Sequence, residues 1–297
     1  MALVINHNMM AMTATQNLDT AYQSLANATN QLSSGLRINQ ASDDAAGLAV
    51  RELMRANIST LNQGVRNAND AISLLQTADG ALGVTDEKLI RMQELDEQAA
   101  TGTYTSTQRL IIDSEYQAMA SEITRIANAT DFNGIYLLNG NLSSGTANGK
   151  IMNPTGKLKV HFGIGNSSTS DYYYIQIGDA TASALGVGMG AAGFAGRSIS
   201  TQNMAQLALN QIENAIVSKD KIRAAIGALE NRLANTVTNL QVQSQNLQSA
   251  ESQISDVDVA TEMTEFVREQ ILTQSATAML AQANSLPKMA LQLIQGG

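Results

Sequence analysis

From Ile212 to Val257 a seam residue returns on alternating steps of three and four. The positions are Ile212, Ala215, Lys219, Ile222, Ile226, Leu229, Leu233, Thr236, Leu240, Gln243, Leu247, Ala250, Ile254 and Val257. Only Lys219, Thr236 and Gln243 interrupt the apolar run, and six heptads of this kind predict a coiled-coil helix. A shorter copy lies at Ile58, Leu61, Val65, Ala68, Ile72, Leu75 and Leu82, with Asp79 the one polar occupant. Proline occurs twice, at Pro154 and Pro287, so no helix breaker interrupts either seam. As one helix, the segment 44–100 would be ~85 Å long at ~1.5 Å per residue. A compact globule of this length has a radius of gyration of only ~19 Å. The fold expected is therefore mainly α: long antiparallel helices in a coiled-coil rod.

A third helix is predicted from about Thr107 to Asn128, with Leu110, Ile111, Tyr116, Met119, Ile123 and Ile126 on a broad face. The hydroxyl-rich link Thr101–Thr107 can cap it and fold it back on the helix before. The middle of the chain changes character. Residues 134–196 hold 13 of the 22 glycines, with turn signals at Asn139-Gly140 and Asn148-Gly149. There Lys157–Phe162 alternates and Tyr172–Ile177 is aromatic and β-branched, so the two are expected to pair as a small β-hairpin. The stretch Ala180–Gly196 is expected to be a loop leading into the long C-terminal helix.

The two ends carry almost no charge: Asp19 alone within 1–36 and Lys288 alone within 271–297. Both are amphipathic, through Leu18, Ala21, Leu25, Ala28 and Leu32, and through Leu272, Ala276, Met279, Ala283, Leu286, Ala290 and Leu293. Their other faces carry Asn, Gln, Ser and Thr, which can be buried against neighbours when hydrogen-bonded, as charges cannot. The ends are expected to pair with each other and then pack inside an assembly.

Composition excludes several functions. With 26 acidic and 18 basic residues the net charge is −8, and no basic cluster supports nucleic-acid binding. There is no cysteine, hence no disulfide framework and no thiolate chemistry. No apolar run reaches ~18 residues, so no membrane span is expected. The first eight residues lack the basic flank and the small-residue cleavage site of a secretory signal. Gly188-Met-Gly190-Ala-Ala-Gly193 matches a dinucleotide-binding string, but the helix that follows leads to no second parallel strand, so a loop is expected. Ser42-Asp43-Asp44 is placed to cap a helix rather than to form a catalytic carboxylate pair. His7 and His161 lie far apart without close acidic neighbours. Tyr172–Tyr174 is expected to fill the small sheet. No enzyme, cofactor or metal is expected.

Several stretches resemble one family closely. Leu32-Ser33-Ser34-Gly35-Leu36-Arg37-Ile38-Asn39, followed by Ala41-Ser42-Asp43-Asp44-Ala45-Ala46-Gly47-Leu48-Ala49, looks like the N-terminal signature of bacterial flagellin. Near the other end, Ile254, Asp256, Asp258, Ala260, Glu262, Ile271-Leu272, Gln274 and Leu280-Ala281-Gln282-Ala283-Asn284 resemble the same family. Asp131-Phe132-Asn133-Gly134 matches the turn after its third N-terminal helix. The resemblance covers roughly 1–140 and 197–297, and the short middle resembles a minimal member without large outer domains.

That resemblance implies a structural subunit that polymerises into the helical flagellar filament for motility, with no catalysis. It implies an inner domain of 1–42 plus 256–297 lining the filament core, with Leu18, Leu25, Leu32, Leu272, Met279, Leu286 and Leu293 as assembly contacts. It implies a rod domain of 43–255, within which 134–196 is the glycine-rich hairpin and loop region. It implies an extracellular location reached by the flagellar type III route without a cleaved signal. The implied partners are further copies, the export apparatus, an export chaperone, the filament cap, hook-junction proteins and, in animal hosts, Toll-like receptor 5. The family's receptor motif maps to Arg91, Leu95 and Glu115, also candidates for lateral packing within the rod. Gln93 and Asp96-Glu97 depart from it, and these departures are expected to add negative charge to that surface. A hook–filament junction protein shares similar ends but matches less closely. A membrane-binding amphipathic helix would want Lys or Arg on its polar face, and 1–36 has neither.

Overall fold

The computed structural model describes residues 8–143, 156–188 and 198–295. Among the described residues six helices and two short hairpins follow in order: α1 Met9–Ser34, α2 Ala45–Ala100, α3 Ser106–Ala129, β1 Asp131–Phe132, β2 Ile135–Tyr136, β3 Leu158–His161, β4 Tyr172–Ile175, α4 Ala182–Leu185, α5 Gln202–Ser255 and α6 Val259–Gln295. The chain is mainly helical, its long helices pack antiparallel, and a small hairpin region occupies the middle. Two compact units can be distinguished, one of residues 1–58 with 245–297 and one of residues 59–244.

In the first unit α1 lies along α6. Asn8 at the start of α1 donates from Nδ2 to the Ala283 carbonyl at 2.8 Å. At the other end Leu36 bridges Asp256, with Arg37 N–H donating to the Ser255 carbonyl at 2.7 Å and Val257 N–H to that of Gly35 at 3.0 Å. The pair is therefore antiparallel. Gly35 ends α1 in a left-handed conformation, φ 73°, with its N–H on the Gln31 carbonyl. The Ser42-Asp43-Asp44 run does cap: Asp44 accepts from Gly47 N–H at 2.8 Å, and Asp43 accepts from the amides of Asn39 and Gln40. A Cβ at Gly47 would crowd the Asp44 carboxylate and lie 2.7 Å from Ile38 Cδ1, so one or both side chains would have to shift to admit it. Arg51, almost buried, holds the Ile38 carbonyl at 2.6 Å.

In the second unit α2 and α5 run antiparallel, as three cross-links show: Asn62 with Ser244, Asp79 with Arg223, and Asp86 with Lys219. Leu61, Ala68, Leu75 and Leu82 of the first seam are buried, as are Ile212, Ala215, Ile226, Leu233 and Leu240 of the second. Lys219 keeps its seam position because its ammonium reaches Asp86 at 2.5 Å and Asp220 at 2.7 Å. The seam departs from the expected one near its end. Ser244 rather than Gln243 is buried, and α5 stops at Ser255, where Asp258 accepts the amides of Ala260 and Thr261 to start α6.

Thr105 caps α3 in a reciprocal box with Gln108. The main core joins Leu89, Met92 and Leu95 of α2, Ile112, Tyr116 and Ile123 of α3, Leu185 of α4 and Ile212 of α5. The turn after α3 uses Asn133 at φ 51° and Gly134 at φ 79°, the two positive φ angles of a tight primed hairpin. Strands β3 and β4 pair antiparallel, with Val160 opposite Tyr173. They are shorter than the predicted runs. One helical turn, α4, interrupts the expected 180–196 loop because Thr181 caps it and Gly186 closes it at φ 80°. The hairpin rests on α2 at Gly64, with Asn67 Nδ2 donating to the His161 carbonyl at 2.8 Å. The tyrosine run does fill the sheet: Arg232 covers Tyr173 at 3.6 Å and Lys159 covers Tyr172 at 3.6 Å. Asn148-Gly149, Pro154, His7 and Gly190–Gly193 lie outside the described residues.

Candidate assembly interface

The α1–α6 pair meets through small side chains. Ala21 and Ala28 of α1 are buried, with Thr273 and Ala283 of α6. Such residues let two helix backbones approach closely and leave larger neighbours at the edges. Leu18, Leu25 and Leu32 are accordingly half-buried beside the seam.

On α6 the pairing row differs from the expected stripe. It runs through Glu269, Thr273, Ala276 and Ala283, so Leu272 (47% exposed) and Met279 (63% exposed) lie outside the buried row. Leu286 and Leu293 lie among residues whose side chains are not described. Sequence reasoning missed the buried Glu269, which pairs with Arg268 at 3.2 Å, and Thr273, which donates to the Glu269 carbonyl at 2.8 Å. It also missed a second exposed row at Val259, Met263, Val267 and Ile271, whose even spacing of four was legible as a ridge along one helix.

The unit thus shows large apolar groups on its outside: Met9, Met10, Met12 and Tyr22 on α1, and the two rows on α6. Exposed apolar side chains grouped in this way make the surface a candidate for interaction. The threonine hydroxyls between them are already engaged. Thr13, Thr15, Thr20 and Thr29 donate to carbonyls four residues back at 3.0, 2.9, 2.9 and 2.7 Å; within α6 Thr264 does the same and Ser285 donates three residues back. A hydroxyl so bonded can leave water without stranding a donor. Met9, Met10, Ala14, Ala276 and Met279 line a groove of about 350 Å³ between the helices. Among the described residues no helix is long and apolar enough to cross a membrane, and no group of three or more His, Asp or Glu could hold a metal.

In the second unit Arg91 lies on the surface and forks onto Glu115 at 3.0 and 2.8 Å while its other nitrogen reaches Glu94 at 2.8 Å. These contacts raise the Arg91 guanidinium above its ordinary value, the Glu94 bond foremost. Leu95 is 1% exposed and belongs to the core, so it supports that patch from beneath and does not line it. Gln93 and Glu97 are exposed, whereas Asp96 is fully buried and adds no charge to the surface, contrary to expectation. Neither Asp96 carboxylate oxygen has a hydrogen-bond partner. Burial, and next the charge of Asp113, push its carboxyl up to about 8. The same burial, with Asp96 and Asp113 nearby, raises the Tyr116 phenol.

The family model for the bacterial flagellin N-terminal helical region matches residues 5–143, and that for the bacterial flagellin C-terminal helical region matches residues 209–294. The flagellar filament 33 kDa core protein of Treponema phagedenis is 40% identical over 294 residues, covering 99% of this chain and 100% of the relative. The chain belongs to the bacterial flagellin family. The flagellin of Bacillus subtilis is 39% identical over 308 residues, covering 98% of this chain and 99% of that one. Flagellin FlaB2 of Treponema pallidum is 39% identical over 293 residues, covering 99% and 100%. The match to these flagellins runs through both sets of terminal helices and through the short middle, so the chain spans their whole length.

Proposed function

We propose that this flagellin is a structural subunit of the flagellar filament and that its copies join through the outer face of the α1–α6 pair. One observation carries the proposal. Helix α1 and the 271–295 part of α6 carry one charge each, and both display large exposed apolar side chains on a surface whose threonine hydroxyls are hydrogen-bonded internally. Burying that surface against further copies releases water from apolar area at about 25 cal/mol per Å² with little polar penalty. Leu272 and Met279 are then contacts between subunits, while Leu18, Leu25 and Leu32 close the pair itself. Leu286 and Leu293 extend the same reading along α6.

In this reading 1–42 with 256–297 forms the inner domain of the filament and 43–255 its rod domain, with 134–196 as the hairpin region. The subunit works outside the cell. It leaves by the flagellar type III route with an export chaperone, and it meets the cap and hook-junction proteins during growth. The Arg91–Glu115 surface is the patch that lateral neighbours, or Toll-like receptor 5 of an animal host, would read. The test is deletion of 271–297, which removes the least charged part of α6. The expected product is a soluble, partly helical monomer that does not elongate filament seeds; normal filaments by electron microscopy would overturn the proposal.

A further inference from the structure

The chain has 13 methionines and no cysteine, so a two-electron oxidant meets thioethers as its only sulfur targets. Among the described residues their exposure divides by position, with Met54 of α2 half-buried. Met9, Met10, Met12, Met263, Met279 and Met289 are between 45% and 64% exposed, and all six belong to α1 and α6. In the second unit Met92 is fully buried, and Met119 and Met204 are half-buried. Three of the six, Met9, Met10 and Met279, converge on the groove of about 350 Å³ between the terminal helices.

We propose that these six methionines are modification sites, and that their oxidation by a peroxide stops the unassembled subunit from entering a filament. The proposal rests on the assembly role given above to the α1–α6 face. The chemistry balances without a cofactor. A sulfur lone pair attacks one oxygen of hydrogen peroxide, the O–O bond breaks and an S–O bond forms. The departing hydroxide takes the proton of the transferred hydroxyl and leaves as water. Sulfur is oxidised by two electrons and the peroxide is reduced. Each event turns a flexible apolar contact into a polar, chiral sulfoxide whose oxygen demands a hydrogen bond. The threonine hydroxyls on this surface are engaged with their own helices and are not free to meet that oxygen. A sulfoxide here is tolerated in water and unfavourable once the face is covered, so the lesion weakens assembly more than folding. Assembly in turn shields the thioethers from the oxidant.

The experiment uses the purified full-length chain. Monomer is treated with dilute hydrogen peroxide and quenched with catalase. Site occupancy is read by peptide mass spectrometry, and elongation of filament seeds is followed alongside. The six methionines should oxidise at least roughly tenfold faster than Met92, and elongation should fall by a similar factor. Helix content by circular dichroism should stay unchanged, and treatment with both epimer classes of methionine sulfoxide reductase should restore elongation. Preassembled filaments given the same peroxide should keep the six thioethers reduced. Equal oxidation of Met92, undiminished elongation of the oxidised monomer, no recovery on reduction, or ready oxidation within filaments would each overturn the proposal. The 271–297 deletion is run in parallel. If it elongates, the assembly role itself fails; if it does not and the oxidised chain does, only the oxidation proposal fails.

Discussion

Replacing Asp96 with leucine should stabilise the protein, by an amount that grows with pH. Leucine has nearly the shape of aspartate, with two methyl groups where the carboxylate has oxygens, so it fits the same site with little repacking. Asp96 is fully buried, without a partner for either oxygen, and its carboxyl is held up to about 8 from an ordinary 3.8. Below the ordinary value both folded and unfolded chains hold the proton, and the titration contributes nothing. Between 3.8 and about 8 the unfolded chain releases its proton while the folded one keeps it, so stability falls as pH rises. The slope is about 1.4 kcal/mol per pH unit, which makes the loss about 4 kcal/mol at pH 7 and about 1.5 kcal/mol at pH 5. Above about 8 the loss levels off at somewhat over 5 kcal/mol. Urea unfolding of wild type and Asp96→Leu, followed by circular dichroism from pH 5 to 9, isolates this contribution, because every other titrating group is common to both. The difference between the two should widen by about 2.5 kcal/mol from pH 5 to 7. Parallel pH profiles would refute the reasoning and mean that Asp96 finds a partner or water when it ionises.

Two further substitutions probe how the second unit is held. Gly64→Ala ought to stabilise a helix by about 1 kcal/mol on propensity alone. Its Cβ would instead lie 2.0 Å from the Phe162 carbonyl oxygen, so the β3–β4 hairpin must move, and a net loss of about 2 kcal/mol is expected by urea unfolding, with a changed tyrosine near-UV spectrum. Asp86→Ala leaves the buried Lys219 with Asp220 alone. The expected loss in urea unfolding is about 2 kcal/mol, less than for a fully buried pair because the Asp86 side chain is 30% exposed; an unchanged midpoint would show that the lysine reaches water.

Much of this architecture is written in residue spacing. The heptad positions of α2 and α5, the Thr105 cap, the Asn133-Gly134 turn and the capping role of Asp44 each follow from a local rule, since the residues involved are neighbours on one turn or one face. Sequence alone also marked the two ends as special, because a helix without charge has no reason to face water on every side. Which residues of α6 face α1, and which face out, was decided only by the tertiary structure. Alanines and a threonine allow the backbones to approach, so the pairing row took Thr273, Ala276 and Ala283 and left Leu272 and Met279 outside. The same holds for Asp96 and Leu95, read from the sequence as parts of a surface and found in the core. Heptad spacing fixes a stripe to within one residue, but packing against a third helix turns that stripe, and with it a neighbouring aspartate, away from water. Sequence determined where the helices run and which ends lack charge; only the packing of one helix on another decided which side chains were left for a partner.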